Sequence, residues 1–127
     1  MVKLVENSFR DVNIVFANEL SRICDGLNLN VWKVIELANK HPRVNILKPG
    51  PGVGGHCIAV DPFFIVEKAP EEAKLIKTAR CVNDSVPDYI VKKVERAVKE
   101  TKIKSPVIAC LGITYKGGQV TFEEVRL

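Results

Sequence analysis

The segment from Pro49 to Gly55 holds two prolines and four glycines in seven residues. Proline lacks a main-chain N–H and has a fixed φ, and glycine weakens the interior of a strand, so neither a helix nor a central strand can pass through it. We therefore expect a loop, here named the glycine-rich loop, with separate elements before and after it. Because glycine has no side chain, a ligand can closely approach the main-chain N–H groups of such a loop.

The segment at the start of the chain predicts one long helix, from about Val2 to Asp25 and ended by Gly26. Apolar residues recur there at intervals of three and four, and so share one helical face. The residues of this stripe are Val5, Phe9, Val12, Phe16, Leu20, Ile23 and Leu27. A second apolar set lies off the stripe, namely Ile14, Val15 and Ala17. We expect such a helix to pack on two sides, and a second copy of the chain is one way to cover the second side.

The same helix is rich in asparagine, at positions Asn7, Asn13 and Asn18. Asparagine is a poor helix former because its amide competes for main-chain hydrogen bonds. Two interpretations stay open: a solvated surface, or amides that meet a ligand or another buried polar group.

Shorter helices are predicted by capping residues. We expect the second helix to begin after an Asn30 N-cap and reach Lys40, and the third to have Asp61 at its N-cap and Pro62 at its first position. A fourth is expected to open at Pro70-Glu71-Glu72 and a fifth to start or kink at Pro87. Three large aromatic residues are expected in the core: Trp32, Phe63 and Phe64.

The end of the chain has a different pattern. Ser105-Pro106 breaks the helical periodicity, and the apolar run from Val107 to Tyr115 is typical of a buried strand. Gly117-Gly118 can turn this strand into a second one over 119–125. The prediction is a mainly α chain: a helical domain over 1–104, then over 105–127 one strand or hairpin that begins an incomplete α/β domain.

Composition excludes several classes of protein. A chain of 127 residues with 46% apolar and 27% charged residues is an ordinary globular domain, or a domain and part of another, and not a disordered tail. Its net charge of +4 is dispersed, and its aromatic residues do not alternate with a basic stripe, which argues against a nucleic-acid surface. No apolar run is long enough to span a membrane, and no secretory signal precedes the first helix, so we expect a cytoplasmic protein.

One cysteine has unusual surroundings. Cys57 follows the glycine-rich loop and precedes a predicted helix start, and both features expose a thiol and favour its thiolate. Cys24, Cys81 and Cys110 lie in helical or strand patterns and are predicted to be buried. The cysteines form no C-x-x-C pair, and we expect no metal site. Cys57 is therefore a candidate nucleophile, with a structural cysteine as the alternative.

Other polar residues have a functional and a structural interpretation. Asp61 lies four residues after Cys57 and could order a water near the sulfur, or simply cap a helix. Lys3 and Asn7 share one helical face and could donate to an oxyanion, or be solvated.

Near the glycine-rich loop, Arg43 and Lys48 could hold phosphates or be surface charge. His56 is interpreted as a hydrogen-bonding residue. Gly50, Gly52 and Gly55 fit G-x-G-x-x-G, but we reject a dinucleotide fingerprint because that motif needs a strand before it and a helix directly after it.

Two segments, Lys3–Leu20 and Pro49–Pro62, resemble the nucleotide-sugar 6-dehydrogenases, a family that includes UDP-glucose and GDP-mannose dehydrogenases. The resemblance extends from Val2 to about Lys116. It implies NAD-dependent oxidation of a UDP-sugar C6 alcohol to a carboxylate, by way of a thiohemiacetal and a thioester on a cysteine.

The resemblance also implies roles for individual residues. Cys57 matches the nucleophile, Lys3 and Asn7 the pair that stabilises oxyanions and positions water, and Asp61 the acid that assists water or proton transfer. Substrate binding is implied for Arg43, Asn45, Lys48, Gly54, Gly55, His56 and Lys116.

The sequence also departs from the family pattern. The family's N-terminal Rossmann domain has no counterpart in this sequence, and the residues after Lys116 do not match. We therefore expect NAD to serve the full-length family enzyme and not to bind tightly to this chain, which we expect to be inactive alone. The alternative is a non-catalytic module that dimerises and at most binds a nucleotide sugar. The expected partners are a UDP-sugar and a second copy, held through the first helix and the strand edge.

Overall fold

The computed structural model describes residues 1–109, and all regular structure within that range is helical. Its helices are α1 (Val2–Gly26), α2 (Val31–Ala38), α3 (Asp61–Lys68), α4 (Lys74–Asp84) and α5 (Val86–Thr101). The mainly α class is therefore confirmed. Residues 107–109, where the predicted strand begins, are irregular, and the rest of that strand and the hairpin lie outside the described residues. The domain boundary near 104 stays a prediction.

The predicted starts of α1 and α2 are confirmed, but α2 ends at Ala38 and not at Lys40, and the starts of α3 and α4 differ from the prediction. Asn30 caps α2 by accepting a hydrogen bond from the Lys33 N–H at 3.2 Å. Asp61 is the first residue of α3 rather than its N-cap, which is Val60. Helix α4 begins at Lys74, so the acidic residues at 71 and 72 precede it and are not in its first turn. Pro87 lies in the first turn of α5, as predicted.

Helix α1 packs against α3 and α4 through a largely polar face. Its buried residues are Asn7, Ser8, Asp11, Val15, Ala17, Asn18 and Cys24. Of the two apolar sets in this helix, the smaller one is covered within the chain, since Val15 and Ala17 are buried. Most of the larger stripe is open: Phe9 is 68% exposed and Phe16 52%. The chain therefore leaves one apolar face of its longest helix uncovered.

The prediction that Trp32, Phe63 and Phe64 are core residues is wrong, because all three are about half exposed. A short helix covers only one side against its neighbours. In α2 that side belongs to Val31 and Ile35, which form a small core cluster with Cys24 of α1.

Helix α3 likewise buries only one of its sides. In α3 the buried residues are Asp61 and Pro62, which leaves the two phenylalanines outward.

The burial of the cysteines agrees with the prediction at some positions and not at others. Cys24 is buried, as predicted, and Cys57 is exposed. Cys81 is exposed, so its predicted burial is wrong. The reason is the orientation of α4, whose buried residues are Ala79, Arg80 and Asn83. Cys110 lies outside the described residues.

Candidate functional site

Cys57 lies in a tight turn between the glycine-rich loop and α3. Its carbonyl oxygen accepts hydrogen bonds from the N–H of Val60 at 3.2 Å and of Asp61 at 2.8 Å. These two bonds fix the main chain of Cys57 relative to the first turn of α3, while its side chain stays exposed. A thiol on a fixed main chain, open to solvent, is accessible to an incoming electrophile.

The carboxylate of Asp61 is directed at α1. It is buried, and its Oδ2 accepts a hydrogen bond from Nδ2 of Asn7 at 2.5 Å. No side-chain capping bond is made at the start of α3. The interpretation of Asp61 as a plain N-cap is therefore wrong, because its carboxylate bonds another helix instead of its own.

Lys3 and Asn7 lie one turn apart on α1 but differ in their surroundings. The Lys3 side chain is exposed, whereas Asn7 is buried against Asp61. The structure thus joins two of the four predicted catalytic residues directly, Asn7 and Asp61, and joins Cys57 to Asp61 through the turn. A buried amide–carboxylate pair can orient a water or a carbonyl oxygen.

A cavity of about 170 Å³ lies beside this turn. Its lining residues are Val53, Gly54, Gly55, His56, Ala59, Val60 and Phe63. Three of the predicted substrate residues, Gly54, Gly55 and His56, are therefore part of one concave surface next to Cys57. Both the glycines and the exposed imidazole of His56 face a space that a small polar group can enter.

The other predicted substrate residues lie elsewhere. Asn45 and Lys48 line a wider groove of about 630 Å³ against α2, with Trp32 in its wall. Arg43 is exposed, and its main-chain N–H donates to Nδ1 of His41 at 3.2 Å. The predicted substrate residues are therefore divided between the cavity and the groove, while Lys116 lies outside the described residues.

Two asparagine side chains hold the segment that connects the groove to the cavity. The Asn39 amide accepts from the Ile46 N–H at 2.7 Å and donates to the Ile46 carbonyl at 3.0 Å. Further along, Oδ1 of Asn18 accepts from the Gly50 N–H at 2.9 Å. Sequence reasoning included Asn18 among amides that could meet a buried group, but it missed Asn39, for which the sequence offered no signal beyond its place after a short helix.

A buried polar network continues from Asn18 across α1 and α4. Asn18 donates to Oδ1 of Asn83 at 3.2 Å, and Asn83 donates to Oδ1 of Asp11 at 2.7 Å. The guanidinium of Arg80 donates to the same Asp11 oxygen at 2.6 Å. The sequence reasoning did not single out Asp11, Arg80 or Asn83, because the pairing of α1 with α4 is not visible from local patterns.

Burial dominates the electrostatics of Asp11. The Asp11 side chain is fully buried, and its Oδ2 has no hydrogen-bond partner among the described residues. Desolvation raises the pKa of its carboxyl above the ordinary value, against the lowering effects of Arg80 and Asn83.

Residues 1–109 differ from three other kinds of site. Within that range, no group of three or more His, Cys, Asp or Glu side chains is arranged to hold a metal ion. No helix in the described part of the chain is long and apolar enough to cross a membrane. The glycines at 50, 52 and 55 precede a turn, and α3 begins only at Asp61, so they do not place main-chain N–H groups at a helix start as a dinucleotide site requires.

Comparison with known proteins gives a family match. Residues 1–85 match the model of the UDP-glucose/GDP-mannose dehydrogenase family, central domain. The NDP-N-acetyl-D-galactosaminuronic acid dehydrogenase of Ralstonia nicotianae is 64% identical over 116 residues, which are 91% of this chain and 27% of that protein. The UDP-N-acetyl-D-mannosamine dehydrogenase of Campylobacter jejuni is also 64% identical, over 91% of this chain and 28% of its own length.

Solved structures agree with this result. The UDP-N-acetyl-mannosamine dehydrogenase of S. aureus superposes with a TM-score of 0.84 at 55% identity, over 98% of this chain and 29% of that one. The corresponding enzyme of Pyrococcus horikoshii gives a TM-score of 0.85 at 47% identity, over 93% of this chain and 29% of that one. This chain therefore spans less than a third of the length of these relatives.

Proposed function

This chain belongs to the UDP-glucose/GDP-mannose dehydrogenase family through its central domain, and on that premise we propose that it supplies the nucleophile and the substrate loop of an NAD-dependent nucleotide-sugar 6-dehydrogenase. The observation that carries the proposal is the arrangement of an exposed Cys57 one turn before Asp61, whose carboxylate bonds Asn7 at 2.5 Å.

Cys57 acts in this proposal as a covalent nucleophile. Its thiolate sulfur adds to the carbonyl carbon of a sugar C6 aldehyde, and the oxygen of that carbonyl takes up the electron pair and then a proton, which gives a thiohemiacetal. Conversion of the thiohemiacetal to a thioester requires that a hydride pass from that carbon to an acceptor outside the described residues. Water then attacks the thioester carbon, the thiolate leaves, and the C6 carboxylate is released.

Asn7, Asp61 and Lys3 assist the steps that involve oxygen. In this proposal the carboxylate of Asp61 accepts a proton from the attacking water, and its bond to Asn7 holds it in one orientation. The exposed ammonium of Lys3, one turn from Asn7, can stabilise the negative oxygen that forms at each addition. These roles need a buried, oriented carboxylate and a nearby cation rather than a helix cap.

The proposed substrate is UDP-N-acetyl-D-mannosamine. Relatives and solved structures with that name match nearly the whole chain, and the segment His41–Gly50 itself resembles the corresponding segment of this enzyme. In this proposal the sugar enters the glycine-lined cavity beside Cys57. The nucleotide extends toward the groove that Asn45 and Lys48 line, with the exposed Arg43 as a further contact. Lys116 is proposed as a further substrate contact.

NAD does not fit the described residues. The glycines at 50, 52 and 55 are not at a helix start, and residues 1–109 contain no strand that could precede such a turn. We derive no hydride-transfer step from this chain, and we expect it to be inactive when it is alone. The second candidate function is a non-catalytic module that dimerises and at most binds a nucleotide sugar; the uncovered apolar stripe of α1 favours it.

A thiol-labelling experiment tests the proposal. Cys57 and Cys81 are both exposed, so iodoacetamide labelling of each can be followed in one sample by mass spectrometry. We expect Cys57 to react faster, and UDP-N-acetyl-D-mannosamine to slow Cys57 while Cys81 is unchanged. UDP alone and N-acetylmannosamine alone are the control ligands, whose effects on Cys57 labelling are compared with that of UDP-N-acetyl-D-mannosamine. Equal rates together with no protection would contradict the proposed nucleophile and substrate site.

A second measurement tests the expectation that the chain is inactive when it is alone. Absorbance at the NADH band is followed after UDP-N-acetyl-D-mannosamine and NAD are added to the chain. We expect no NADH, since the described residues offer no nicotinamide site. Steady NADH formation would refute the inactive-module interpretation.

A further inference from the structure

The glycine-rich loop has a single main-chain donor at its start. Pro49 and Pro51 lack an N–H, so within Pro49-Gly50-Pro51 only Gly50 can donate a main-chain hydrogen bond. Oδ1 of Asn18 accepts that bond at 2.9 Å. The first half of the loop is therefore fastened to α1 through one side chain.

Surrounding groups fix the orientation of the Asn18 amide. Asn18 is almost fully buried, and its Nδ2 donates to Oδ1 of Asn83 at 3.2 Å. Asn83 is oriented in turn, because its own Nδ2 donates to Oδ1 of Asp11 at 2.7 Å and to the Asp11 carbonyl at 3.2 Å. A flipped Asn18 amide would turn its NH₂ toward the Gly50 N–H and its oxygen toward the Asn83 oxygen, so a single orientation satisfies both neighbours.

Asn83 also lies near the loop at Gly52. A Cβ built on Gly52 would lie 3.4 Å from Cδ of Pro87 and 3.6 Å from the carbonyl oxygen of Asn83. Gly52 has a φ of +120°, a conformation open to glycine and strained for other residues. The loop is thus constrained by a hydrogen bond at Gly50 and by a glycine-specific backbone conformation at Gly52, immediately before the residues that line the cavity beside Cys57.

We propose that Asn18 is a positioning residue: through its bond to the Gly50 N–H it sets the path of the glycine-rich loop, and with it the placement of Gly54, Gly55 and Cys57. This inference rests on the proposed function for its catalytic meaning. Asn18 itself need not touch the substrate, because it acts through the main chain of the loop.

The test compares Asn18→Ala with two matched variants of the 127-residue chain. Asn13→Ala removes an amide whose hydrogen bond within residues 1–109 is to the Phe9 carbonyl of the same helix, and Val15→Ala removes buried apolar atoms of α1 without removing a polar contact. The measurements are Gly50 amide hydrogen exchange by NMR and the ratio of Cys57 to Cys81 alkylation rates. In Asn18→Ala we expect Gly50 to exchange about tenfold faster, the change that loss of one buried hydrogen bond produces. We also expect the ratio of the Cys57 alkylation rate to the Cys81 alkylation rate to change.

Asn18→Asp is the conservative variant, because a carboxylate still accepts from the Gly50 N–H but now faces the Asn83 oxygen. We expect it to be less stable than the wild type and yet to keep Gly50 protected to within about threefold. Val15→Ala is expected to lower stability with both loop readouts unchanged.

The outcomes separate this inference from the proposed function. If Asn18→Ala and Val15→Ala behave alike in Gly50 exchange and in the thiol ratio, Asn18 is only structural and the inference is overturned. If Asn18→Ala alone changes both readouts, the positioning role is supported. If in addition wild-type Cys57 reacts no faster than Cys81 and UDP-N-acetyl-D-mannosamine does not protect it, the proposed function fails while the positioning of the loop by Asn18 stands.

Discussion

The Asn7 side chain donates a hydrogen bond to the Asp61 carboxylate across 2.5 Å, although the two residues are 54 positions apart. This contact joins the first helix to the turn that carries Cys57. It also changes the interpretation of both residues, since an amide on a helix and an acid at a helix start would each have an ordinary local explanation.

Replacing Asn7 tests the strength of that contact. In Asn7→Ala the buried Asp61 carboxylate loses its partner, and we expect the free energy of unfolding to fall by about 1 to 3 kcal/mol. Urea denaturation followed by circular dichroism measures this loss. Asn13→Ala, on the same helix but bonded only to the Phe9 carbonyl, is expected to change stability by no more than about 0.5 kcal/mol. Equal losses in the two variants would mean that the Asn7–Asp61 contact contributes nothing.

Two glycines of the loop are expected to tolerate alanine differently. Gly52 has a φ of +120°, which is strained for a residue with a Cβ, so Gly52→Ala is expected to cost about 1 to 3 kcal/mol of stability. A Cβ on Gly54 would meet nothing within 4 Å, and Gly54→Ala is expected to stay within about 0.5 kcal/mol of the wild type. Thermal or urea unfolding of the two variants checks this difference. A Gly54→Ala variant as unstable as Gly52→Ala would contradict the described backbone of the loop.

The buried carboxyl of Asp11 predicts a pH dependence with a definite sign. Burial raises its pKa in the folded state above the ordinary value of 3.8, so the unfolded chain ionises first as the pH rises. The wild type therefore loses stability relative to Asp11→Asn as the pH rises from 3.8 to the raised pKa, and the difference is constant above it. The urea midpoints of the wild type and of Asp11→Asn, measured from about pH 3 to about pH 8, give this difference in stability. The other titrating groups are present in both proteins, so their contributions cancel in the comparison. A difference that grows in favour of the wild type over the same range would show that Arg80 outweighs burial.

The presence and order of the helices follow from the sequence because their signals are local, whereas several of their ends do not. Asn30 caps α2 through its own side chain, and the prolines and glycines of the loop exclude regular structure whatever the surroundings. The exposure of Cys57 likewise follows from its position after small residues. Each of these features depends on the residues adjacent in sequence.

Contacts between distant segments could not be predicted in the same way. The apolar period of α1 correctly gave a helix, but it did not reveal that α3 and α4 cover the face of Asn7, Asp11 and Asn18. The open interpretation of the asparagines as amides that meet a buried polar group is confirmed for Asn7 and Asn18, whereas Asn13 bonds its own helix. Which of them is buried depends on partners 54 to 65 residues away.

The exposed stripe of α1 predicts the oligomeric state. Val5, Phe9, Phe16 and Ile23 are each more than half exposed on one side of a 25-residue helix. A continuous apolar surface of this kind is typical of an interface, and self-association through a two-fold axis brings the same stripe of two copies together. We therefore expect a dimer or larger assembly at micromolar concentration in analytical ultracentrifugation.

Substitutions on the stripe test whether it is the interface. Phe9→Asp combined with Phe16→Asp places two charges on the apolar face, and we expect the assembly to dissociate because an unpaired carboxylate is costly to bury. Since both side chains are exposed in the single chain, helix content by circular dichroism is expected to be retained. The matched control is Phe64→Asp on α3, equally exposed but off the stripe, which is expected to leave the sedimentation coefficient unchanged. A wild-type chain that sediments as a monomer, or a double variant that remains associated, would exclude this face as the contact between copies.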